Sequence, residues 1–384
     1  MPGLQISFSP GIYSSEVRDV HQLKKMWSRK SFWGFLGFSA LLGLWLSTPG
    51  TVAQAARDGL RLCAAVMIPS LFPFFVISNL FVRRGYHQYV TACLRPVMEP
   101  VFGLAPEGAS ALALGAVGGY PIGAATAFQL YDEGILSEKE AARLLAFCNN
   151  AGPGFIFGVV GLGLLGSAKI GAMVFAVHLV SAALVGVGIH LLAGPEITSH
   201  RAMAAPLEPK EDFPASFIAA VQVAAATMLN VCAFLVFFAV MLAFLRTSPV
   251  WSLPSRVIHL VFGLDLPAAG ALLDGLMELS TGISHLQANP CDLPAMLSVC
   301  SFLLGWGGLC VHCQVLSLRG QRPIRMTNYF VGKLCQGLIA AILIQFVLHW
   351  PLLTVAGTVL LLLCTAIFPR FLKKASGKHK TYRV

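Results

Sequence analysis

Long apolar segments separated by short polar ones run through almost the whole chain. A membrane-spanning helix needs about 20 consecutive apolar residues, so this pattern predicts transmembrane helices. The predicted spans lie near residues 32–48, 59–82, 141–165, 170–192, 216–245, 293–318, 326–348 and 352–371. The fold class expected from this pattern is an all-α polytopic membrane protein with about eight transmembrane helices.

Two further apolar stretches, 108–131 and 268–288, are interrupted near their middle. The first is broken by the sequence Gly-Gly-Tyr-Pro at 118–121 and the second by Glu-Leu-Ser-Thr-Gly at 278–282. Non-helical backbone at membrane depth is tolerated only where it is packed in protein or lines a wet cavity. We therefore expect each stretch to form a re-entrant helical hairpin that enters and leaves the membrane on one side.

Composition supports the membrane interpretation. Hydrophobic residues make up 56% of the 384 residues, charged residues 11%, and the mean hydropathy is +0.74. A water-soluble fold could not hide that much apolar surface. The net charge is +10, from 27 Lys and Arg against 17 Asp and Glu, but no basic face with interleaved aromatic residues is present. The expected partner is thus the lipid bilayer and not a nucleic acid.

The distribution of basic residues predicts the orientation of the chain. The N-terminal 31 residues are polar and basic, and the apolar run that follows lacks a convincing cleavage site, so the first span reads as an anchor. The tail from Arg370 carries basic residues and no acid, which places it in the cytosol by the positive-inside rule. Both termini are therefore expected to be cytosolic, although Arg246 and Arg256 fall outside in this layout.

The chain also carries an internal repeat. Residues 67–75 align without gaps with residues 228–236, and each copy is followed by a broken hairpin, a Gly-interrupted span and an intact span, at an offset near 155 to 161 residues. The two copies start on opposite sides in the predicted topology, so the repeats are expected to be inverted and to resemble a transporter in which one half rocks against the other. The predicted parts are a cytosolic segment 1–31, an anchoring span 32–55, a first repeat 56–193, a linker 194–214, a second repeat 215–350, and a last span with a basic tail 351–384.

The hairpin tips suit an anionic ligand. The first N–H groups of a helix lack intrahelical partners and carry partial positive charge, which favours a carboxylate. Gly118, Gly119 and Gly123 would let the backbone approach closely, and Pro121 can begin the returning half-helix. The alternative is a tight turn of small residues that packs against a neighbouring helix.

A second break follows at Asn149-Asn150-Ala151-Gly152-Pro153, where Pro153 removes a helical hydrogen bond. The freed carbonyl groups and the amides of Asn149 and Asn150 could coordinate a cation or bind a ligand. Alternatively, the amides satisfy the broken backbone themselves. In the second hairpin, Ser280, Thr281 and Ser284 could supply hydroxyl donors.

Glu278 is the ionisable group expected to carry a proton or a cation. An acid within an apolar hairpin is costly and usually faces a bundle interior or a water-filled cavity. Asp274 lies one turn earlier and could share a proton with it. Alternatively, both acids lie at the aqueous mouth and are solvated.

His312 and Gln314 follow the break at Gly305-Trp306-Gly307-Gly308 and could line the same cavity, although a lone His in a helix bundle is more often structural.

The candidate residues are all expected to serve substrate binding. They are Gly118, Gly119, Tyr120, Pro121, Gly123, Asn149, Asn150, Gly152, Glu278, Ser280, Thr281, Gly282, Ser284, Gly307, His312 and Gln314. No P-loop, nucleophile elbow or zinc-protease helix is present, so neither an enzyme nor a cofactor is expected. Cys310-Val311-His312-Cys313 lacks the second donor pair that a zinc site needs, and no metal is expected there.

Several of these motifs together resemble the YlbJ-type sporulation integral membrane proteins of the nucleoside-recognition, or Gate, domain superfamily. The resemblance runs from roughly Ala53 to Leu348 and rests on the runs Phe72–Phe75, Gly119–Ala124, Glu140–Pro153 and Gly305–Val315. It implies a membrane protein that loads the spore with dipicolinic acid across the outer forespore membrane, and kinship with concentrative nucleoside transporters. His312, Cys313 and the long basic N-terminus depart from the family pattern.

Three hypotheses follow. The leading one is a secondary transporter of a small carboxylate, with dipicolinic acid favoured by the resemblance. The second is a nucleoside or other heterocycle carrier, and the third is a sporulation membrane scaffold that transports nothing. The expected partners are an anionic small molecule and the bilayer. The sequence leaves open a coupling cation or proton, the oligomeric state, including a homo-oligomer, and the direction of transport.

Overall fold

The computed structural model describes residues 29–196, 212–248, 251–351 and 357. Its described part is helical and contains no strand. The chain divides into two units, Met1–Gln54 and Ala55–Val384. Most of the predicted N-terminal segment, most of the linker, and the span predicted near 352–371 fall outside the described residues.

The helices are numbered here in chain order. In the first half they are α1 Arg29–Ser47, α2 Pro49–Arg83, α3 His87–Val97, α4 Ala109–Gly118, α5 Ile122–Asp132, α6 Glu138–Cys148, α7 Gly154–Leu164 and α8 Ala168–Ala193. In the second half they are α9 Phe213–Thr247, α10 Ser252–Phe262, α11 Leu266–Met277, α12 Leu279–Ala288, α13 Leu293–Trp306, α14 Gly308–Arg319 and α15 Thr327–His349.

The described helices confirm a multi-pass membrane protein. Five are long and apolar enough to cross a bilayer, or up to seven if each of two bent helix pairs counts as one span. The number eight stays a prediction. The span predicted over 141–165 is two helices, α6 and α7, because the backbone leaves helical geometry at Asn149 and resumes after Pro153.

Both predicted interruptions separate two short helices that pack against each other, α4 with α5 and α11 with α12. Glycine pairs allow the close approach. A Cβ atom added to Gly115 would lie 2.9 Å from the Cα of Gly123, and one added to Gly282 would lie 2.7 Å from the amide nitrogen of Gly275. Such distances leave no room for a side chain, so the glycines set how tightly each hairpin closes.

The order of elements occurs twice. Each copy begins with a 35-residue helix, α2 or α9. A short amphipathic helix follows, α3 or α10. Between this helix and the next one, the chain bends by 110° in the first copy and by 117° in the second. A hairpin, an interrupted helix and an intact long helix complete each copy.

The two 35-residue helices pack against each other in antiparallel register. A Cβ on Gly59 would lie 3.2 Å from the Cα of Val236, and one turn later the Cys63 thiol is 3.9 Å from the carbonyl oxygen of Cys232. The residue number rises along α2 while its partner's number falls along α9. The helices therefore run in opposite directions where they touch.

An exposed ion pair joins the end of the first hairpin to the loop after α14. The Arg322 guanidinium donates to both carboxylate oxygens of Asp132, at 2.7 and 2.5 Å, and also lies 5.5 Å from the ring centre of Phe128. These hydrogen bonds lower the pKa of the Asp132 carboxyl below its usual value. The pair ties a hairpin of the first copy to the interrupted helix of the second.

Candidate functional site

A small cavity lies where the interrupted segments of the two copies meet. Its volume is about 50 Å³, room for about three waters at roughly 15 Å³ each. The lining residues are Met67, Leu71, Tyr120, Ala151, Gly152, Phe155, Val231, Leu235, Glu278, Leu279, Ser280, Cys310, Val311 and Gln314. The cavity thus has an apolar wall and a short arc of polar groups contributed by both copies.

Each interrupted helix stands against the tip of the hairpin in its own copy. A Cβ on Gly119 would lie 2.8 Å from the amide nitrogen of Gly152, and one on Gly308 would lie 3.1 Å from that of Leu279. Gly307 and Gly308 both have a positive φ, near 89° and 82°, a conformation open to glycine at little cost. In each copy, the hairpin tip and the break of the interrupted helix therefore pack directly against each other.

Tyr120 connects the broken segments of the first copy to those of the second. Its hydroxyl donates a hydrogen bond to the carbonyl oxygen of Leu304, near the end of α13. Its ring also lies against Gly307, 3.6 Å from where a Cβ there would be. The tip of the first hairpin thus reaches across the cavity to the break of the second copy.

Glu278 caps the second half-helix of its own hairpin. Its carboxylate accepts hydrogen bonds from the backbone N–H groups of Ser280 at 2.9 Å and Thr281 at 2.6 Å, and from the Thr281 hydroxyl at 2.6 Å. The donors expected to attract an external carboxylate at this tip are therefore already bound by the chain itself. The side chain is 3% exposed and lines the cavity.

Asn149 plays a similar role in the first copy. Its amide oxygen accepts a hydrogen bond from the backbone N–H of Ala124, in the first turn of α5, at 3.4 Å. The Asn150 amide nitrogen donates to the carbonyl oxygen of Phe147 at 2.9 Å. Both side chains are fully buried, and neither lines the cavity. The Asn149 oxygen and the Asn150 nitrogen therefore each bond a backbone group, and ligand or cation binding at this break stays a prediction.

Behind the first break lies a buried polar network that sequence reasoning missed. The Lys333 ammonium donates to the backbone carbonyl of Asn149 at 2.7 Å and to the Gln336 side-chain oxygen at 2.6 Å. The Gln336 amide donates to the Asn150 side-chain oxygen at 2.8 Å, and the backbone N–H of Ala151 donates to Nε2 of His178 at 3.0 Å. Helices α8 and α15 thus hold the first break from two sides.

A single basic residue inside an apolar run is the signal that could have found Lys333, because ionisable groups within a span are rare and functional. The close approach of α15 to α6 brings it to the break. A Cβ on Gly332 would lie 2.5 Å from the carbonyl oxygen of Ala146. This contact depends on tertiary packing and could not be read from the chain.

The sequence suggested that Asp274 could share a proton with Glu278, and the structure gives Asp274 three other partners. Its carboxylate pairs with the Arg246 guanidinium at 2.5 Å and with Nδ1 of His285 at 2.6 Å, and it accepts a hydrogen bond from the Trp251 indole at 3.3 Å. Opposite charges and donors therefore surround it. This cluster also gives Arg246 a buried partner, which offsets the cost of its unfavourable predicted position.

We expect Asp274→Asn to destabilise the second hairpin by about 2 kcal/mol, because Arg246 would lose its charged partner and the amide would present a donor to other donors. Thermal unfolding of the purified protein in detergent measures this change. Asp292→Asn is the matched control, since Asp292 is an exposed cap of α13 whose amide would retain an acceptor. Equal unfolding midpoints for the two variants would contradict the importance of the cluster.

The remaining predicted residues take varied places. Gln314 and Ser280 line the cavity, whereas Ser284 is exposed away from it. His312 is buried but does not line the cavity, and its Nδ1 lies 2.9 Å from the Tyr329 hydroxyl. Gly118, Gly119, Pro121, Gly123, Gly282 and Gly307 form the turns and the close helix contacts. In the described part of the chain, no group of three His, Cys, Asp or Glu side chains could hold a metal ion.

The class of this protein follows from a family match in its first half. The Nucleoside recognition (Gate) family model matches residues 64–193, which include the first hairpin and the first interrupted helix. The chain is therefore a multi-pass membrane protein with a Gate domain. No solved structure matches it.

The family follows from one curated relative. The chain is 30% identical over 329 residues, which is 80% of this chain and 80% of the relative, to the "Sporulation integral membrane protein YlbJ" of Bacillus subtilis (strain 168). The chain belongs to this family of sporulation integral membrane proteins. The resemblance noted from the sequence motifs is confirmed.

Proposed function

We propose that this protein is a membrane transporter of a small carboxylate, with dipicolinic acid as the favoured substrate during endospore formation. It is a carrier and not an enzyme, and it works by alternating access around a site between two inverted repeats. Its place is the mother-cell-derived outer forespore membrane, with both termini in the cytosol. The observation that carries the proposal is the small cavity that the interrupted segments of both copies line together.

The antiparallel contact of α2 and α9 supports the inverted arrangement. These helices open their respective copies, so a two-fold axis lying in the membrane plane would bring them together in opposite directions, as observed at Gly59 with Val236 and at Cys63 with Cys232. Binding between inverted repeats lets one copy move against the other around a fixed site. Interruptions at the cavity give both copies a local hinge.

The size of the cavity supports a closed state of such a carrier. Room for a few waters is too small for an aromatic dicarboxylate or a nucleoside. Either solute would enter only after the walls separate, and Tyr120 of the first copy bonded to Leu304 of the second is a contact that must then break. In this proposal, opening and closing at Tyr120 is part of the transport cycle.

Uptake into proteoliposomes tests the proposal. The parent protein should take up labelled dipicolinate in a saturable manner and should take up uridine less well. Glu278→Gln should reduce this uptake by about tenfold, because an amide cannot accept hydrogen bonds from all three donors that the carboxylate holds. Asn150→Ala, which removes a partner of Gln336, should reduce it less.

The Gate match favours a second candidate, a carrier of a nucleoside or another heterocycle. That function predicts saturable uridine uptake that depends on an ion gradient and is abolished by Glu278→Gln. Absence of saturable flux of either compound in correctly folded, reconstituted protein would overturn transport and favour a membrane scaffold.

A further inference from the structure

Lys333 is a buried basic residue whose partners are all uncharged. Its side chain is fully buried. The ammonium contacts the Asn149 carbonyl oxygen, the Gln336 amide oxygen and the face of the Tyr120 ring, whose centre is 5.3 Å away. Within the described residues no carboxylate pairs with it. A buried charge without a counter-charge is costly, so its retention calls for a function.

The Lys333 ammonium lies against the first break and bonds a backbone carbonyl there. The carbonyl of Asn149 belongs to the segment that leaves helical geometry before Pro153. Together with a side-chain amide oxygen and an aromatic face, it forms an environment that stabilises positive charge. A basic side chain from α15 thus lies in this environment.

The residues that line the cavity carry no positive charge. Its lining includes the Glu278 carboxylate but no lysine or arginine. An anion in the cavity would therefore be repelled by Glu278 unless a nearby cation compensated. Lys333 is one side chain away, because Tyr120, whose ring it faces, lines the cavity, as does Ala151, two residues after Asn149.

We propose that Lys333 is the built-in counter-charge of the transport site: it replaces a coupling metal cation at the first break and selects solutes that carry a carboxylate. When Tyr120 leaves Leu304 as the cavity opens, the ring that separates the ammonium from the cavity moves, and the solute carboxylate becomes its partner. This inference rests on the transport function proposed above. It adds that the substrate carries a negative charge and that Lys333 recognises this charge.

Uptake measurements with matched solutes test the charge selection. The parent should transport dipicolinate at the same rate in sodium, potassium or choline buffer, and at least about tenfold better than the uncharged dipicolinic diamide. Lys333→Gln should lose this preference between the two solutes, whereas Lys333→Arg should keep it. Lys169→Gln is the control, because Lys169 is exposed at the start of α8 and away from the cavity.

A second variant covers the case in which Lys333→Gln fails to fold. Gln336→Glu keeps an oxygen beside the ammonium and supplies a carboxylate inside the protein, so Lys333 would be neutralised while still present. It should also lose the preference for dipicolinate over the diamide by about tenfold. Size-exclusion chromatography and thermal unfolding identify the variants that are folded.

The outcomes are distinct. Loss of the dipicolinate preference in a folded Lys333→Gln or Gln336→Glu protein, with the preference kept in Lys333→Arg and Lys169→Gln, supports the proposal. An unchanged preference in either neutralising variant, or parent uptake that requires sodium or potassium, overturns it while leaving transport intact. No saturable uptake by the parent overturns the transport function, and this inference with it.

Discussion

Replacing Gly115 with alanine should prevent the first hairpin from closing. The added methyl group would overlap the backbone carbonyl of Cys148 and lie 2.9 Å from the Cα of Gly123. Backbone atoms of α6 and α5 form these contacts, so no side-chain rotation relieves them. We expect a loss of about 3 kcal/mol of stability or more, seen as a lower unfolding midpoint in detergent.

Gly188→Ala is the matched control for this substitution. Gly188 also lies within a helix, α8, but a Cβ there would meet nothing within 4 Å. The control should be neutral or slightly stabilising, because alanine favours helix by up to about 1 kcal/mol. Equal unfolding midpoints for Gly115→Ala and Gly188→Ala would mean that the hairpin does not close as the structure has it.

Replacing Tyr120 with alanine should have the second large effect. The change removes a buried aromatic ring, the hydrogen bond to Leu304 and the face that Lys333 contacts. Large-to-small substitutions of buried aromatic residues cost about 3–5 kcal/mol. In addition, the two copies would lose a contact across the cavity, so we expect saturable uptake to be lost in any protein that remains folded.

Tyr120→Phe separates the hydroxyl from the ring. It keeps the packing and the ring face but removes the hydrogen bond to the Leu304 carbonyl, which should cost about 1 kcal/mol. If the hydroxyl holds the cavity closed, this variant should transport dipicolinate with an altered maximal rate while remaining folded. A Tyr120→Ala protein with the parent's unfolding midpoint and uptake would show that Tyr120 neither packs nor gates the site.

The positions of the hairpins were readable from the chain. Gly, Pro and acidic residues inside apolar stretches marked both breaks, and the predicted stretches 108–131 and 268–288 correspond to α4 with α5 and to α11 with α12. Local chemistry suffices here because a glycine or proline changes backbone preference whatever surrounds it. The predicted span over 141–165 was less accurate, since the break at Asn149 divides it in two.

The partners of the polar residues were not readable. The Glu278 carboxylate accepts hydrogen bonds from N–H groups of its own half-helix. The Asp274 carboxylate pairs with Arg246, which lies 28 residues earlier, in α9. Both acids lie in one short segment, so spacing alone suggested that they interact. Which donor lies nearest was decided by helix packing, because hydrogen bonds act over about 3 Å.

The sequence by itself determined that this protein lies in a lipid bilayer, in which order its helices follow each other and where they break. Those properties depend on the hydrophobicity of each segment and on residue-specific backbone preferences. Only the tertiary structure decided that Lys333, 184 residues after Asn149, lies at the first break, and that Tyr120 bridges the two copies. Such contacts arise when distant helices pack, and no local pattern encodes their register.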